Sequence, residues 1–402
     1  MLRLALRNIF RQKLRASLTL AAVVFGVVAL VLSGGFVQDV FFQLGEAFIH
    51  SQSGHIQAFR AGYFEQGTRS PEKFSIEHPE TVQNMLAAMP QVAETMTRLS
   101  FSGMINNGRT DLAIIGEGIE PDKELRLGSR LMLLAGHQLR DAGRYEMLVG
   151  AGVARALKLK PGSRVTLLVN TAEGALNSLD FETVGIFQSY SKDYDARAIR
   201  IPLSSAKELL NTSGVTSIVV RLHRTEDTQQ VAQELRARVA AGFEVKTWVA
   251  LNDFYEKVVT LYRAQFGALQ VIILVVVLLG VANAVSMSVL ERVGEFGTIR
   301  ALGNRSGYVF RLVMVENMLL GLAGATLGLL LGCGLALLIS EIGIPMPPPP
   351  NADLGYTAHI LIVPFSLLTA FATGVSTTVL AAILPARRAS RTPVVDALRQ
   401  NV

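Results

Sequence analysis

Four long apolar runs without charge divide this chain, and each is long enough to fix a helix across a bilayer. A hydrocarbon core about 30 Å thick needs roughly 20 predominantly apolar residues per helix. Nothing between Arg15 and Asp39 is charged, and Leu18–Phe36 is dominated by Ala, Val and Leu, which gives span one. A second uncharged run lies between Arg263 and Glu291, with an unbroken aliphatic stretch from Val271 to Leu279 at its centre. Asn317–Ser340 supplies the third span and Ile360–Leu384 the fourth. Pro345, Pro347, Pro348, Pro349 and Pro350 between them read as a stiff connector outside the bilayer.

The basic residues set the expected orientation, because Lys and Arg near span ends stay on the cytoplasmic side. Residues 43 to 263 hold 25 basic and 25 acidic side chains, so this segment is neutral and the net charge of +6 lies elsewhere. The remaining basic residues form three clusters: Arg3, Arg7, Arg11, Lys13 and Arg15; then Arg292, Arg300, Arg305 and Arg311; then Arg387, Arg388, Arg391 and Arg399. All three fall on one face of the membrane if the N-terminus is inside. The loop before span four carries only Glu341 and Asp353, as an outer loop should. A pI near 9.5 would suit nucleic acid, but the juxtamembrane excess reads as topology and contact with anionic lipid heads instead.

The basic N-terminus followed by an apolar run reads as an anchor, not a cleaved signal, since the run is long and helical spacing continues through Phe41, Leu44 and Phe48. Phe254, Val258, Leu261 and Tyr262 give a matching entry to span two, so two packed stalks are expected. The fold class that follows is an α-helical membrane protein of four transmembrane helices with a large α+β periplasmic domain inserted between the first two. Expected boundaries are an amphipathic helix over 1–15, span one with stalk over 16–42, the domain over 43–253, stalk and span two over 254–290, a loop over 291–311, span three over 312–342, a loop over 343–358, span four over 359–385 and a tail over 386–402.

Within the outer segment, Gly54–Phe59, Asp111–Gly116, Arg164–Val169, Phe181–Phe187 and Val215–Leu222 read as strands bounded by turn formers. Glu80–Met89, Ala151–Leu159, Ser204–Leu210 and Thr228–Val239 read as helices. Two lobes are expected, one made of the segment's ends and one inserted around 105–200. His50, His55, His78, His137, His223 and His359 show no metal-ligand spacing, and Cys333 lies in span three, so neither zinc nor a disulfide is expected. No nucleophile elbow occurs, and no Gly-rich loop leads into Lys-Ser or Lys-Thr, so the chain is expected neither to bind a cofactor nor to hydrolyse ATP itself. Asp193/Asp195 and Glu226/Asp227 read as solvated loop charges.

The turn after span two is short, charged and patterned. Phe296, Ile299 and Leu302 recur at helical spacing and could seat in an apolar groove, with Arg292, Glu295 and Arg300 as orienting contacts. Gly324, Gly328 and Gly332 stand four apart in span three and read as a helix-packing stripe. Glu316 at the entry to that span needs a partner, for which Arg311 is the nearest basic residue. Asn283, Thr373, Ser376, Thr377 and Thr378 read as helix–helix hydrogen bonders. At the N-terminus, Arg3, Arg7 and Arg11 stand four apart, with Leu2, Leu6, Ile9, Phe10 and Leu14 available for an apolar side, a pattern for a helix lying in the headgroup layer.

Three motifs resemble the FtsX-like permeases, which include MacB-type efflux proteins and LolC/LolE lipoprotein-releasing subunits. They are the start Ala5-Leu6-Arg7-Asn8-Ile9-Phe10-Arg11-Gln12-Lys13-Leu14-Arg15, the turn Glu291-Arg292-x-x-Glu295-Phe296-Gly297-x-x-Arg300-Ala301-Leu302-Gly303, and the tail Pro385-Ala386-Arg387-Arg388-Ala389 with Pro393, Ala397, Leu398 and Arg399. The resemblance covers the whole chain and looks most like LolC/LolE in layout. It implies an inner-membrane mechanotransmission machine in which a separate cytoplasmic ABC ATPase dimer, binding ATP and magnesium, moves the permease helices. It makes the turn an ATPase-coupling helix, with Glu291, Arg292, Glu295, Phe296, Gly297, Ile299, Arg300, Leu302 and Gly303 as its residues. It also implies a second permease copy or paralogue, and a lipoprotein or other hydrophobic substrate taken from the membrane, with a periplasmic carrier or adaptor as partner. A MacB-type tripartite efflux part and an FtsX-like regulator of a periplasmic enzyme are the alternatives. In LolC-type subunits the connection matching Asn170–Asp180 is longer and docks the carrier, so no residue here is assigned that role.

Overall fold

The computed structural model describes residues 2–11, 13–67, 74–127, 131–140, 145–171, 173–189, 191–239, 242–348, 355–394 and 397. Pro349, Pro350, Asp353, Leu398 and Arg399 therefore lie outside the described residues. The chain divides into two compact units: Met1–Phe41, Val258–Pro345 and Thr357–Val402 form one, and Phe42–Lys257 with Met346–Tyr356 the other.

In chain order the elements begin with α1 (Leu2–Arg11), α2 (Lys13–Phe48), a π-helical turn (Ile49–Ser53), β1 (Ile56–Arg60), α3 (Pro79–Ala87), β2 (Val92–Asn106) and β3 (Asp111–Ile119). There follow α4 (Pro121–Leu127), β4 (Met132–Gly136), β5 (Glu146–Gly150), α5 (Ala151–Leu157), β6 (Arg164–Asn170), β7 (Leu176–Gln188), α6 (Lys192–Asp195) and β8 (Ala198–Pro202). Next come α7 (Leu203–Leu210), β9 (Ser217–Leu222), α8 (Thr228–Arg238), β10 (Phe243–Thr247) and α9 (Asp253–Glu291). The last are α10 (Val293–Ala301), α11 (Ser306–Ile342), β11 (Ile344–Met346), β12 (Tyr356–Ala358) and α12 (Pro364–Arg391).

Among the described residues, four helices are long and apolar enough to cross a membrane: Ala16–Ser53, Tyr255–Glu291, Ser306–Ile342 and Pro364–Arg391. In the membrane unit, the glycine stripe of α11 receives a valine stripe of α2. A side chain at Gly324 or Gly328 would collide with Val23 or Val27, and one at Gly332 would press on Val31 at 3.1 Å, so both stripes repeat every four residues and interlock. Gly374 of α12 closes on Val27 from the other side. The resulting apolar core joins α2, α9, α11 and α12 through Val27, Val285, Ala325 and Ala382.

Helix α12 begins at Pro364, five residues later than its sequence pattern suggests, because the preceding residues have other partners. The His359 amide donates to Asp39 Oδ2 at 2.8 Å, the Ile360 amide to Ser340 Oγ at 2.9 Å, and the Leu361 amide to the Gly35 carbonyl at 3.3 Å. This extended segment needs Gly35, where a Cβ would meet the Leu361 carbonyl at 2.5 Å. The hydroxyls of Thr377 and Thr378 donate to the Thr373 and Gly374 carbonyls one turn back in their own helix, and Asn283 is exposed. They are thus not the interhelical bonders expected, since an i−4 carbonyl lies within reach of any Thr hydroxyl.

The other unit is a mixed sheet in the order β10-β1-β9-β2-β3-β8-β5-β7-β4, with β6 pairing to β2 and β7. Pairs β3/β8 and β5/β7 are parallel. Strand β2, which no sequence pattern marked, runs from one side of the sheet to the other and joins two apolar cores. One is built from the segment's ends, with Ile56, Leu86, Val220 and Leu235, and one from its middle, with Phe101, Val149, Phe181 and Ile199. Strand β7 starts at Leu176, so the connection from Asn170 is shorter than expected: Leu176–Asp180 pair with Thr166–Asn170 as a hairpin closed by Thr171 to Ala175.

Candidate functional site

Helix α9 ends at Glu291, and the chain turns at Arg292, which precedes α10 with φ −101° and ψ 7°. The far end closes at Gly303, whose φ of +93° is left-handed backbone that favours glycine, and its amide donates to the Arg300 carbonyl at 3.0 Å. Asn304 Nδ2 donates to the Ile299 carbonyl at 3.1 Å and tightens the same exit.

What holds this turn is a buried ion pair. Arg292 is 5% exposed, and its guanidinium forks onto Glu316 of α11, Nη1 to Oε2 at 2.5 Å and Nη2 to Oε1 at 3.1 Å. Its Nε donates to Glu295 Oε2 at 3.1 Å, and the planar group lies 5.0 Å over the Phe296 ring. Asn8 of α1 donates to the same Glu316 carboxylate at 2.7 Å, and Arg11 pairs with Glu295. Arg300 donates to the Thr392 carbonyl just past α12. One nine-residue helix is thereby fastened to α1, α11 and the end of α12.

Glu316 was expected to pair with Arg311, and the structure corrects this. At 100° per residue, Arg311 lies about 140° around the helix from Glu316 and faces away; it is exposed. The acid on the inner face meets Arg292 across the turn instead.

The apolar side expected of α10 is corrected as well. Phe296 is only 2% exposed and sits in the membrane unit's core beside Val289, Val309, Val313 and Ala386. Gly297 is buried, and Glu295, Ile299 and Arg300 are half-buried. Leu302 is 79% exposed, and with Glu291, Thr298, Ala301, Gly303 and Arg305 it makes the accessible rim. Phe296 therefore turns inward because the Arg292 fork above it and the small residues of α12 beneath it form a better pocket than solvent offers.

A cavity of about 40 Å³ opens beside the ion pair, lined by Asn8, Thr19, Arg292, Glu316 and Asn317 among others. That volume holds about three or four waters at roughly 10–15 Å³ each. Asn317 is 5% exposed; its Nδ2 donates to the Val313 carbonyl at 2.9 Å, and its Oδ1 has no donor among the described residues, so water is its natural partner. On α1, Leu4 and Phe10 are exposed while Ala5 is buried, and Leu14 at the start of α2 is exposed too. Among the described residues no group of three or more His, Cys, Asp and Glu side chains could hold a metal ion.

The sequence matches the MacB-like periplasmic core domain over residues 16–238 and the FtsX-like permease C-terminal domain over residues 267–394. It is 22% identical over 411 residues to the lipoprotein-releasing system transmembrane protein LolC of Neisseria meningitidis serogroup B, covering 95% of this chain and 93% of that protein. It is 24% identical over 276 residues to an uncharacterised ABC transporter permease of Methanocaldococcus jannaschii, covering 66% of this chain and 64% of that one. With the macrolide export ATP-binding/permease protein MacB of Hyphomonas neptunium it shares 23% over 417 residues, covering 98% of this chain and 60% of MacB. The crystal structure of the periplasmic region of MacB from Actinobacillus actinomycetemcomitans superposes with a TM-score of 0.37 at 15% identity, covering 52% of this chain and 94% of that one.

Proposed function

The chain belongs to the FtsX-like permeases built with a MacB-like periplasmic core domain, and on that premise we propose that it is the membrane subunit of an ABC transporter working by mechanotransmission. A separate ATPase pair on the cytoplasmic side closes on ATP, pushes on the turn from Glu291 to Arg305, and so moves the helices that lead to the large domain. ATP and magnesium belong to that partner, and two permease copies or paralogues present two such turns.

The observation that carries this reading is the fastening of α10. A loop that only satisfied charge topology would need no buried anchor, whereas here Arg292 joins the turn to α11 through a bidentate pair. Load applied at the exposed rim then reaches a transmembrane helix without passing through a soft joint. The near end-to-end correspondence with LolC supports extraction of a lipoprotein or similarly lipid-anchored molecule from the outer leaflet.

Leu302→Asp with Arg305→Glu changes only exposed positions of the rim. Affinity purification of the tagged full chain from native membranes, with partners identified by mass spectrometry, is expected to recover an ABC ATPase with the wild type and about tenfold less with the variant. The periplasmic protein recovered alongside identifies the pathway: a lipoprotein carrier, an efflux adaptor or a cell-wall enzyme. Absence of an ATPase from both preparations would overturn the proposal.

A further inference from the structure

Helix α2 does not end in a free turn. Beyond Phe48 the backbone widens into the π-helical turn Ile49–Ser53 and stops at Gly54, φ +63°, which leaves carbonyls at the turn's end without partners in the helix. Two arginines from the sheet meet them. Arg98 of β2 donates to the Gln52 carbonyl, and Arg200 of β8 donates through Nη2 to the Ser51 carbonyl at 3.0 Å. Both arginines are 2% exposed.

Two carboxylates hold the arginines in place. Glu124 of α4 pairs with Arg98, with Nε to Oε2 at 3.2 Å, and lies 3.7 Å from Arg200 Nη1. Glu117 of β3 lies 3.3 Å from Arg200 Nε and 3.9 Å from Arg98 Nη1, and it accepts from the Tyr194 hydroxyl at 3.0 Å. Register places these groups on one face: Ser100 pairs with Glu117, Glu117 with Arg200, and Arg98 is two residues from Ser100. Although burial opposes it, the two arginines hold the Glu117 carboxyl below the usual carboxylate range. The negative end of a helix dipole faces two fixed cations, and each cation has a fixed anion behind it.

We infer that Arg98 and Arg200 form a clamp that fixes the end of the first stalk to the sheet, making them positioning residues for force transfer into β2 and β8. Without the clamp the turn Ile49–Ser53 would absorb stalk motion as local rearrangement; with it the stalk end and both sheet cores move together, because β2 runs through both. Only the consequence for transport rests on the proposed function; the clamp stands on its own geometry.

The test uses the full chain in lipid nanodiscs, without ATPase, carrying spin labels at Phe42 and Ser102, both exposed, and Cys333→Ser to remove the native thiol. The variant is Arg98→Met with Glu124→Leu, which replaces an ion pair by apolar side chains of similar volume and leaves no orphan charge. Arg98→Lys keeps the charge but cannot fork to both Glu124 and the Gln52 carbonyl. Pulsed electron paramagnetic resonance is expected to show a narrow label distance in the wild type, a distribution about twice as broad in the double variant, and an intermediate one in Arg98→Lys. An unchanged distribution in a double variant with native Trp248 fluorescence would overturn the clamp. Should that variant unfold, hydrogen exchange on the wild type decides. The Ser53 and Gly54 amides are expected to exchange as slowly as those of β2, and exchange about tenfold or more faster by local opening would overturn it. Because no ATPase is present, failure of the partner purification leaves this outcome unaffected.

Discussion

Arg292→Met is expected to destabilise the solubilised protein by about 3–5 kcal/mol, the usual cost of leaving a buried carboxylate without its partner. Among the described residues Glu316 would keep only the Asn8 amide, and the small cavity beside it has room for no more than a few waters to solvate the charge. The double change Arg292→Met with Glu316→Leu removes the orphan, and thermal unfolding in detergent is expected to recover to within about 1–2 kcal/mol of wild type. Coupling is expected not to recover. With the partner ATPase reconstituted, ATP-driven turnover should stay about tenfold or more below wild type in the double variant, because the turn would then rest on α11 through apolar contacts that slide. Recovery of both stability and turnover would make the pair structural only. Phe296→Asp, the change the sequence would suggest first, cannot separate these effects, since it buries a charge in the core shared with α11 and α12.

A second large effect is expected from acid. His55 is 2% exposed, accepts from the Leu222 amide at Nδ1, 3.3 Å, and faces Thr225 Oγ1 with Nε2 at 3.2 Å. That geometry fits the neutral ring protonated at Nε2. Burial, and then the neighbouring His50, push its pKa down to about 4 from 6.5. The folded state therefore stays neutral where the unfolded chain takes up a proton. Stability from this group is complete above about pH 6.5, falls as pH drops toward 4, and is lost by about 3 kcal/mol in all at roughly 1.4 kcal/mol per unit. Between about pH 7.5 and pH 5, before most carboxylates titrate, the loss is about 2 kcal/mol. Trp248, the single tryptophan, lies in the same unit and reports its unfolding by fluorescence. Denaturant titrations of the full chain should show this slope in the wild type and a flatter one in His55→Asn. Equal slopes would place the pH dependence elsewhere.

The spans were legible because a bilayer demands length and apolarity together, and few other demands produce Leu18–Phe36 or Val271–Leu279. Strands β1, β3, β6 and β9 were legible where apolar runs met turn formers. Strand β2 was not, since its polar Thr95, Thr97 and Arg98 read as surface until two cores and the stalk turn are seen to surround them. Strands β5 and β8 are buried on both faces yet contain Glu146, Arg200 and Pro202, so they show neither alternation nor a clean apolar run.

At the site, the turn's importance was visible but the direction of its side chains was not. The signal was present: Glu316 is the lone acid in a long apolar run, and helix geometry already excludes Arg311 as its partner. What remained invisible is that Arg292 comes from the turn between α9 and α10 and takes Phe296 inward with it. The clamp at Ser51 and Gln52 could not be read at all, because backbone carbonyls carry no sequence signature.

The most direct measurement is photo-crosslinking in native membranes from a benzoyl-phenylalanine placed at Leu302, with Leu330 as the control position, 79% and 67% exposed respectively. The account predicts an adduct with an ABC ATPase from position 302 and none from 330. An adduct-free position 302 in membranes that contain the ATPase would contradict the claim that this turn receives the push.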